Sequence, residues 1–233
     1  MLFNKIHNKG QAQLFQNRYL EYLTKTHPLV IWGMYIPIIA FMLFYSASKI
    51  NLPPSYIVLI FLSGMLTWSL FEYIIHRYVF HFMAESERAM KIVYIIHGNH
   101  HEYPRDKQRL FMPAVPSIIM ASVIFSFLYF LSHLFSATQI VFPFFPGFVF
   151  GYLIYGTMHY AIHAWHPPFK WMKPLWRNHH LHHYKEQEKG FGVSSTLWDH
   201  VFGTMFDLEK EKEDKEKVKD LMFSPRKSGQ QVS

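Results

Sequence analysis

The sequence predicts an all-α integral membrane protein, with four transmembrane helices in two hairpins and a cytoplasmic helical cap rich in histidine. Three observations predict it. No Asp, Glu, Lys or Arg occurs from Leu110 to Phe169, a charge-free run that reads as membrane spans rather than as a soluble fold. Lys and Arg concentrate in the segments flanking the apolar stretches. The 16 histidines of this 233-residue chain mostly gather in short clusters at the edges of those stretches.

The elements follow in order. Residues 1–28 are polar, with Lys5, Lys9, Arg18 and Lys25 set against Glu21, and carry no apolar core and cleavage site of a signal peptide. An interfacial helix is expected around Gln11–Thr24. The membrane domain then occupies 29–208, with spans at about 29–47, 56–75, 114–135 and 141–160. Pro37 is expected to kink the first span, which neighbouring helices tolerate. Asn51-Leu52-Pro53-Pro54 turns the chain into the second, which carries Glu72 near its end. Phe142-Pro143-Phe144-Phe145-Pro146-Gly147 punctuates the start of the fourth. The last segment, 209–233, is a charged tail, nearly all charge from Glu209 to Lys219, expected to be an exposed helix or disordered.

The basic residues lie in the N-terminal segment, the 77–111 connection and the C-terminal third, while the two short turns hold only Lys49. By the positive-inside rule those three segments face the cytoplasm, and an even number of spans puts both termini there. This topology accounts for the net charge of +7 together with attraction to anionic headgroups, so no nucleic-acid partner is needed. The location is multi-pass: inner membrane in a bacterium, endoplasmic reticulum in a eukaryote. The absence of cysteine excludes disulfides, iron–sulfur clusters and thiolate-ligated haem or zinc.

The histidines carry the chemistry. His97-Gly98-Asn99-His100-His101 and His179-His180-Leu181-His182-His183 both read H-x-x-H-H, and His76/His81 and His159/His163 add two spaced pairs. On an α-helix, positions i and i+3 lie about 60° apart and i and i+4 about 40° apart, whereas adjacent residues are splayed by about 100°. Each motif is therefore able to feed two metal ions side by side. His159 and His163 share a face, the spacing that serves one ion. His76 and His81 diverge by about 140° on an α-helix, so they are assigned to different ions or to the two sides of a helix end. The ten imidazoles divide as five for each of two metals, leaving one octahedral position per metal for oxygen or substrate. A lone histidine is more often a satisfied core or surface residue, but two such motifs and two spaced pairs on one side of a membrane are not explained that way.

The residues Phe71 to His81, His97 to Asp106, His159 to His163, and His179 to Tyr184 with Gly190-Phe191-Gly192-Val193 and Trp198-Asp199 resemble the fatty acid hydroxylase / sterol desaturase superfamily. The resemblance covers about 55–206 and is closest to the membrane domain of fatty acid 2-hydroxylases. It implies four spans under a cytoplasmic cap, and a dimetal centre that uses O2 to hydroxylate C2 of a fatty acyl chain, free or in a ceramide-like lipid. The implied ligands are His76, His81, His97, His100, His101, His159, His163, His179, His182 and His183, with His180 in a variable slot.

Two departures stand out. His27-Pro28 continues as Leu29-Val30 rather than as the His-Pro-Gly-Gly of a haem-binding cytochrome b5 domain, so electrons are expected from a separate cytochrome b5 or ferredoxin with its reductase. Gly156 stands where the family often has Asp.

Glu72, at i, i+4 from His76, is the first candidate to hold a ligand's second ring N–H. Asp106, Asp199 and Tyr184 are further candidates. Trp165, Trp171 and Trp176 read as interface anchors or channel walls. His7, His27, His133, His166 and His200 are assigned no ligand role, with His166 the reserve. Five histidines per ion argue for iron in the working enzyme, because zinc has no redox chemistry and prefers four ligands in structural sites. Zinc is nonetheless expected in purified protein, since it outcompetes ferrous iron for imidazole. The alternatives are a sterol or carotenoid desaturase or hydroxylase, and a non-catalytic membrane metal-binding protein. Transport is disfavoured because, Glu72 apart, the spans carry no ionisable residue of the kind a pathway needs.

Overall fold

The computed structural model describes residues 6–207, so the charged tail at 209–233 lies outside the described residues. Helix α1 (Arg18–Leu23) precedes four long helices: α2 (Pro28–Ser48), α3 (Pro54–Ile75), later α6 (Ala114–Leu134) and α7 (Val141–Ala164). The cap is built from α4 (Glu87–Val93) and α5 (Asn99–Glu102) between α3 and α6, and from α8 (Lys173–Tyr184) and α9 (Leu197–Val201) after α7. There is no strand among the described residues.

Four helical stretches are long and apolar enough to cross a membrane: Pro28–Ser48, Pro54–Phe80, Ala114–Leu134 and Thr138–Ala164. The last runs beyond the expected 141–160 at both ends, and it holds Pro143 in the first turn of α7 and Pro146 inside the helix. A proline in the first turn lacks only an N–H that has no helical partner anyway. Each hairpin turns through a residue in the left-handed region, Asn51 (φ 58°) and Ser136 (φ 54°).

Helix α7 is the centre of the bundle. It crosses α3 at glycines: a Cβ on Gly147 would lie 1.9 Å from the Phe61 carbonyl oxygen, and one on Gly64 2.2 Å from that of Phe144. Small residues matter here because in lipid helices associate through close packing rather than through a hydrophobic drive. On its other side Ile31, Tyr35, Ile39 and Met42, one face of α2, pack with Phe145, Val149, Leu153 and Phe111. Helix α6 packs on this core through Ala114, Ile118, Ala121, Ile124, Phe125 and Leu128, and its buried Ser117 hydroxyl shares a 2.8 Å hydrogen bond with that of Tyr35. Its exposed Val123, Phe127, Phe130 and Leu134 are lipid-facing side chains.

The interfacial helix expected at Gln11–Thr24 is only the six-residue α1. Before it the chain runs extended as a strap over the cap. The His7 N–H donates to the Glu102 carbonyl at 2.7 Å, Gln11 donates to Asp106 at 2.9 Å, and Ala12 is buried. Trp176, expected at the interface, is instead in the cap core with Ile162 and Val193, and its indole N–H donates to the Trp165 carbonyl at 2.9 Å. Trp165 and Trp171 are exposed.

Candidate metal centre

Two π-turns shape the first half of the site, His76–Phe80 at the end of α3 and Tyr94–Gly98 before α5. In a π-turn the hydrogen bond runs from i+5 back to i, here from the His81 N–H to the His76 carbonyl at 3.2 Å. That widened turn brings residue i+5 over residue i. His76 and His81 therefore face the same place, and the α-helical divergence that assigned them to different ions or to the two sides of a helix end does not apply. Single π-turns of this kind recur at functional sites.

The ten histidines form two groups. His76, His81, His97, His101 and His182 make one, and His100, His159, His163, His179 and His183 the other; within each group the ligand-capable atoms lie within 4.8 Å of one another. The two H-x-x-H-H motifs exchange members. His97 and His101 belong to the first group and His100 to the second, whereas His182 belongs to the first and His179 and His183 to the second. The groups are neighbours: the His101 and His183 rings stack at 4.1 Å.

Nitrogen geometry tests whether these residues fit metal ions. Within the groups Nε2 faces Nε2 at 3.0 Å for His97/His101, 2.8 Å for His100/His159, 2.8 Å for His163/His179 and 3.1 Å for His179/His183. Two imidazoles at right angles on an ion, with metal–nitrogen bonds near 2.0–2.1 Å, put their nitrogens roughly 2.9 Å apart. Three of the outward nitrogens are held by carbonyls, which only accept. His76 Nδ1 donates to Phe191 at 2.5 Å, His159 Nδ1 to Leu110 at 3.0 Å and His182 Nδ1 to Lys189 at 2.7 Å. In these three rings Nε2 therefore carries a lone pair turned inward, the arrangement that orients metal-binding histidines. Buried Nε2 of His76, His81 and His182 has no hydrogen-bond partner among the described residues. Orphaned buried nitrogens are costly unless something binds them, so the residues fit a pair of ions.

Burial, then repulsion from neighbouring imidazoles, holds His97, His100, His101, His179 and His183 well below the ordinary histidine range, and the same causes hold His81 down to about 2. Burial, opposed in part by its bond to Lys189, does the same for His182. Burial thus favours the neutral form of these rings, the form of imidazole that ligates metal.

Aromatic side chains wall the groups. Phe80 stacks on His97 at 4.7 Å, Phe191 lies edge-on to His76, His81 and His182, and Tyr155 stacks on His159 at 5.8 Å.

The candidate acids are placed differently from expectation. Glu72 does not touch His76, whose outward nitrogen is taken by Phe191. It accepts instead from the Val193 and Ser194 N–H groups at 2.8 and 2.9 Å and from the Ser194 hydroxyl at 2.5 Å. Asp199, fully buried, accepts from the Phe191 and Gly192 N–H groups at 2.9 and 2.8 Å. The two carboxylates thus clamp one loop, 189–194, whose carbonyls hold His76 and His182. Gly190 (φ +71°) opens that loop, and a Cβ on Gly192 would meet the Ser195 carbonyl oxygen at 2.1 Å. This glycine pair was the available sequence signal for it. Asp106 pairs with Arg109 at 2.7 Å and touches no histidine of the ten. Tyr184 donates to the Asn8 side chain at 2.8 Å and stacks on His180.

His180 is buried but belongs to neither group; its Nδ1 donates to the Trp176 carbonyl at 2.6 Å. His7 stacks on Tyr103 and His27 caps α2, accepting from the Leu29 N–H at 3.2 Å. His133, His166 and His200 are exposed outside both groups. At Gly156, a Cβ would lie 2.2 Å from the Phe111 ring, which fills the space a side chain would take.

A sequence profile described as "Fatty acid hydroxylase" matches residues 61–204, which hold all ten histidines. The chain belongs to the fatty acid hydroxylase family. Among its relatives in that family is the dihydroceramide fatty acyl 2-hydroxylase FAH2 of Arabidopsis thaliana, 36% identical over 193 residues, 83% of this chain and 79% of that protein. The ceramide very long chain fatty acid hydroxylase SCS7 of Saccharomyces cerevisiae is 36% identical over 202 residues, 85% of this chain and 50% of that one. The fatty acid 2-hydroxylase of Homo sapiens is 32% identical over 213 residues, 83% of this chain and 56% of that one. The chain thus spans about half the length of the yeast and human hydroxylases. Among solved structures, full-length scs7p, with only its hydroxylase domain visible, matches with a TM-score of 0.77 at 34% identity, covering 85% of this chain and 74% of that one.

Proposed function

We propose that this fatty acid hydroxylase family member is an O2-dependent monooxygenase of the non-haem di-iron type, acting at C2 of a fatty acyl chain, free or amide-linked in a ceramide-like lipid. One observation carries the reading: two adjacent five-histidine groups whose nitrogens face each other at metal-ligand spacing, at the end of four apolar helices. The names of the relatives, all acyl or ceramide hydroxylases, favour it over a sterol or carotenoid oxidation.

His76, His81, His97, His101 and His182 hold one ion and His100, His159, His163, His179 and His183 the other. Iron, when bound, supplies the activation of O2 that no side chain here can perform; zinc in purified protein would fill the same places without that capacity. The chain's own residues set the conditions. Backbone carbonyls of Phe191, Leu110 and Lys189 fix the tautomers of three rings, and Phe80, Phe191 and Tyr155 keep water from the ions. His81 is half-buried where the rest of its group is buried, which marks the side from which substrate approaches.

The Lys and Arg distribution supports a cytoplasmic cap and cytoplasmic termini, and with them electron delivery by a separate cytochrome b5 or ferredoxin with its reductase. The test is lipid mass spectrometry of cells with the intact gene, without it, and with His100→Ala. Acyl lipids heavier by one oxygen should appear only with the intact gene; identical lipid profiles in all three would remove the assignment.

A further inference from the structure

Arg77 occupies an unusual position. It follows His76 in the π-turn that ends the second span, is half-buried, and its guanidinium carbon lies over three rings: Tyr78 at 5.1 Å, Phe191 at 5.8 Å and Tyr73 at 5.9 Å. One of its N–H groups donates to the Tyr73 hydroxyl at 2.9 Å. Among the described residues no carboxylate pairs with it. The neighbouring acid, Glu72, is already taken by Val193 and Ser194. A guanidinium has five N–H donors and a full charge, and an aromatic cage holds that charge in place without neutralising it. A cation fixed at a bilayer boundary without an anion beside it is a receptor for one.

The surroundings say which anion. Leu59, Leu62, Leu66, Ile74 and Tyr78 form an exposed apolar strip along α3 that ends at the cage. Val201 and Phe202 are exposed on its flank, with Phe202 stacked on Tyr73 at 5.1 Å. A hydrocarbon track leading to a caged guanidinium has the shape of one phospholipid, chains along the strip and phosphate at the end. We propose that Arg77 binds the phosphate headgroup of a membrane lipid. Guanidinium suits phosphate because its planar fork makes paired hydrogen bonds and is weakly hydrated. Phe191 is shared: one side of its ring faces Arg77, and it lies edge-on to His76, His81 and His182. The bound headgroup therefore sits one aromatic ring from the first histidine group.

The experiment is native mass spectrometry of the intact, detergent-solubilised chain with dihexanoyl phosphatidic acid, dihexanoylglycerol and inorganic phosphate as separate probes. Phosphatidic acid should be retained, with dihexanoylglycerol and inorganic phosphate each bound at least roughly tenfold more weakly. Arg77→Met should lose roughly tenfold or more in affinity for phosphatidic acid. Tyr78→Leu, at an exposed position that cannot disturb the core, should lose about two- to fivefold through the cation–π contact. Melting temperature and metal content report whether each variant is folded. Undiminished binding by folded Arg77→Met, or by Tyr78→Leu should Arg77→Met fail to fold, would overturn the site. Equal retention of dihexanoylglycerol would do the same. Inorganic phosphate bound as tightly as phosphatidic acid would make it a free-phosphate site and overturn the lipid assignment.

Discussion

Asp199→Asn should loosen one histidine group and leave the other in place. Asp199 takes four hydrogen bonds, two on each oxygen: Phe191 N–H (2.9 Å) and the Thr204 hydroxyl (2.7 Å) on Oδ1, Gly192 N–H (2.8 Å) and the Asn178 amide (3.3 Å) on Oδ2. An amide offers one oxygen. Whichever way it turns, its NH2 meets the backbone N–H of Phe191 or Gly192, and neither can reverse. A buried N–H left without an acceptor costs about 1–3 kcal/mol, and the remaining bonds lose their charge assistance, so the whole is about 3–4 kcal/mol. Glu72→Gln is the control. Its amide oxygen keeps the Val193 and Ser194 N–H groups, and its NH2 faces the Ser194 hydroxyl, which rotates to accept. That loss is about 1 kcal/mol. Because Asp199 holds the loop whose Phe191 and Lys189 carbonyls orient His76 and His182, the damage falls on the first group. Metal per chain, measured by elemental analysis, should fall from two equivalents towards one in Asp199→Asn, with a melting temperature lower by about 6–16 °C. Glu72→Gln should stay close to wild type. Equal behaviour of the two variants, or full metal content and unchanged melting in Asp199→Asn, would refute the clamp.

Three further outcomes are expected. His100→Ala should lower bound metal and abolish hydroxylation, while His180→Ala, outside both groups, should retain both; unchanged metal in His100→Ala would sink the ligand assignment. Cysteines placed at Glu87 and at Ser224 in this cysteine-free chain should label only from the cytoplasmic side, and opposite sidedness would break the topology. Metal-free protein should lose stability on acidification. His97, His100, His101, His179, His182 and His183 are held below their ordinary value when folded, so below about pH 6.5 the unfolded chain binds protons that the folded chain refuses. The slope is about 1.4 kcal/mol per pH unit for each such ring. Urea midpoints should be flat from pH 8 to 7 and fall steeply between about pH 6.5 and 5.5; a rise on acidification would contradict the burial of these rings.

What was legible in the sequence had a periodic or compositional cause. The charge-free run from Leu110 to Phe169 and the apolar stretches before it forecast four spans, because lipid excludes charge wherever it touches the chain. His159 and His163, and the outer members of each H-x-x-H-H, were readable because regular helix spacing puts i and i+4 on one face.

His76 and His81 defeated the same rule, since their side-by-side placement comes from a π-turn whose residues carry no local signature. The groups that orient the histidine rings were hidden for a different reason. They are backbone carbonyls of Phe191, Lys189 and Leu110, which any residue type supplies. Glu72 was found as a buried acid at the end of a span but given the wrong partner, because i, i+4 spacing says nothing about a loop more than a hundred residues away. Trp176 looked like an interface anchor by residue type; its neighbours in the fold, Ile162 and Val193, make it core.

The central claim is that two histidine-held metal ions activate O2 for insertion into a lipid C–H bond. The measurement that tests it most directly is 18O2 labelling of purified protein, iron-loaded and zinc-loaded, with acyl lipid and an added electron donor and reductase. Iron-loaded protein should produce a lipid hydroxylated at C2 whose new oxygen is 18O, only when the donor is present, and zinc-loaded protein should produce none. Hydroxyl oxygen drawn from water, or equal turnover with zinc, would contradict the account.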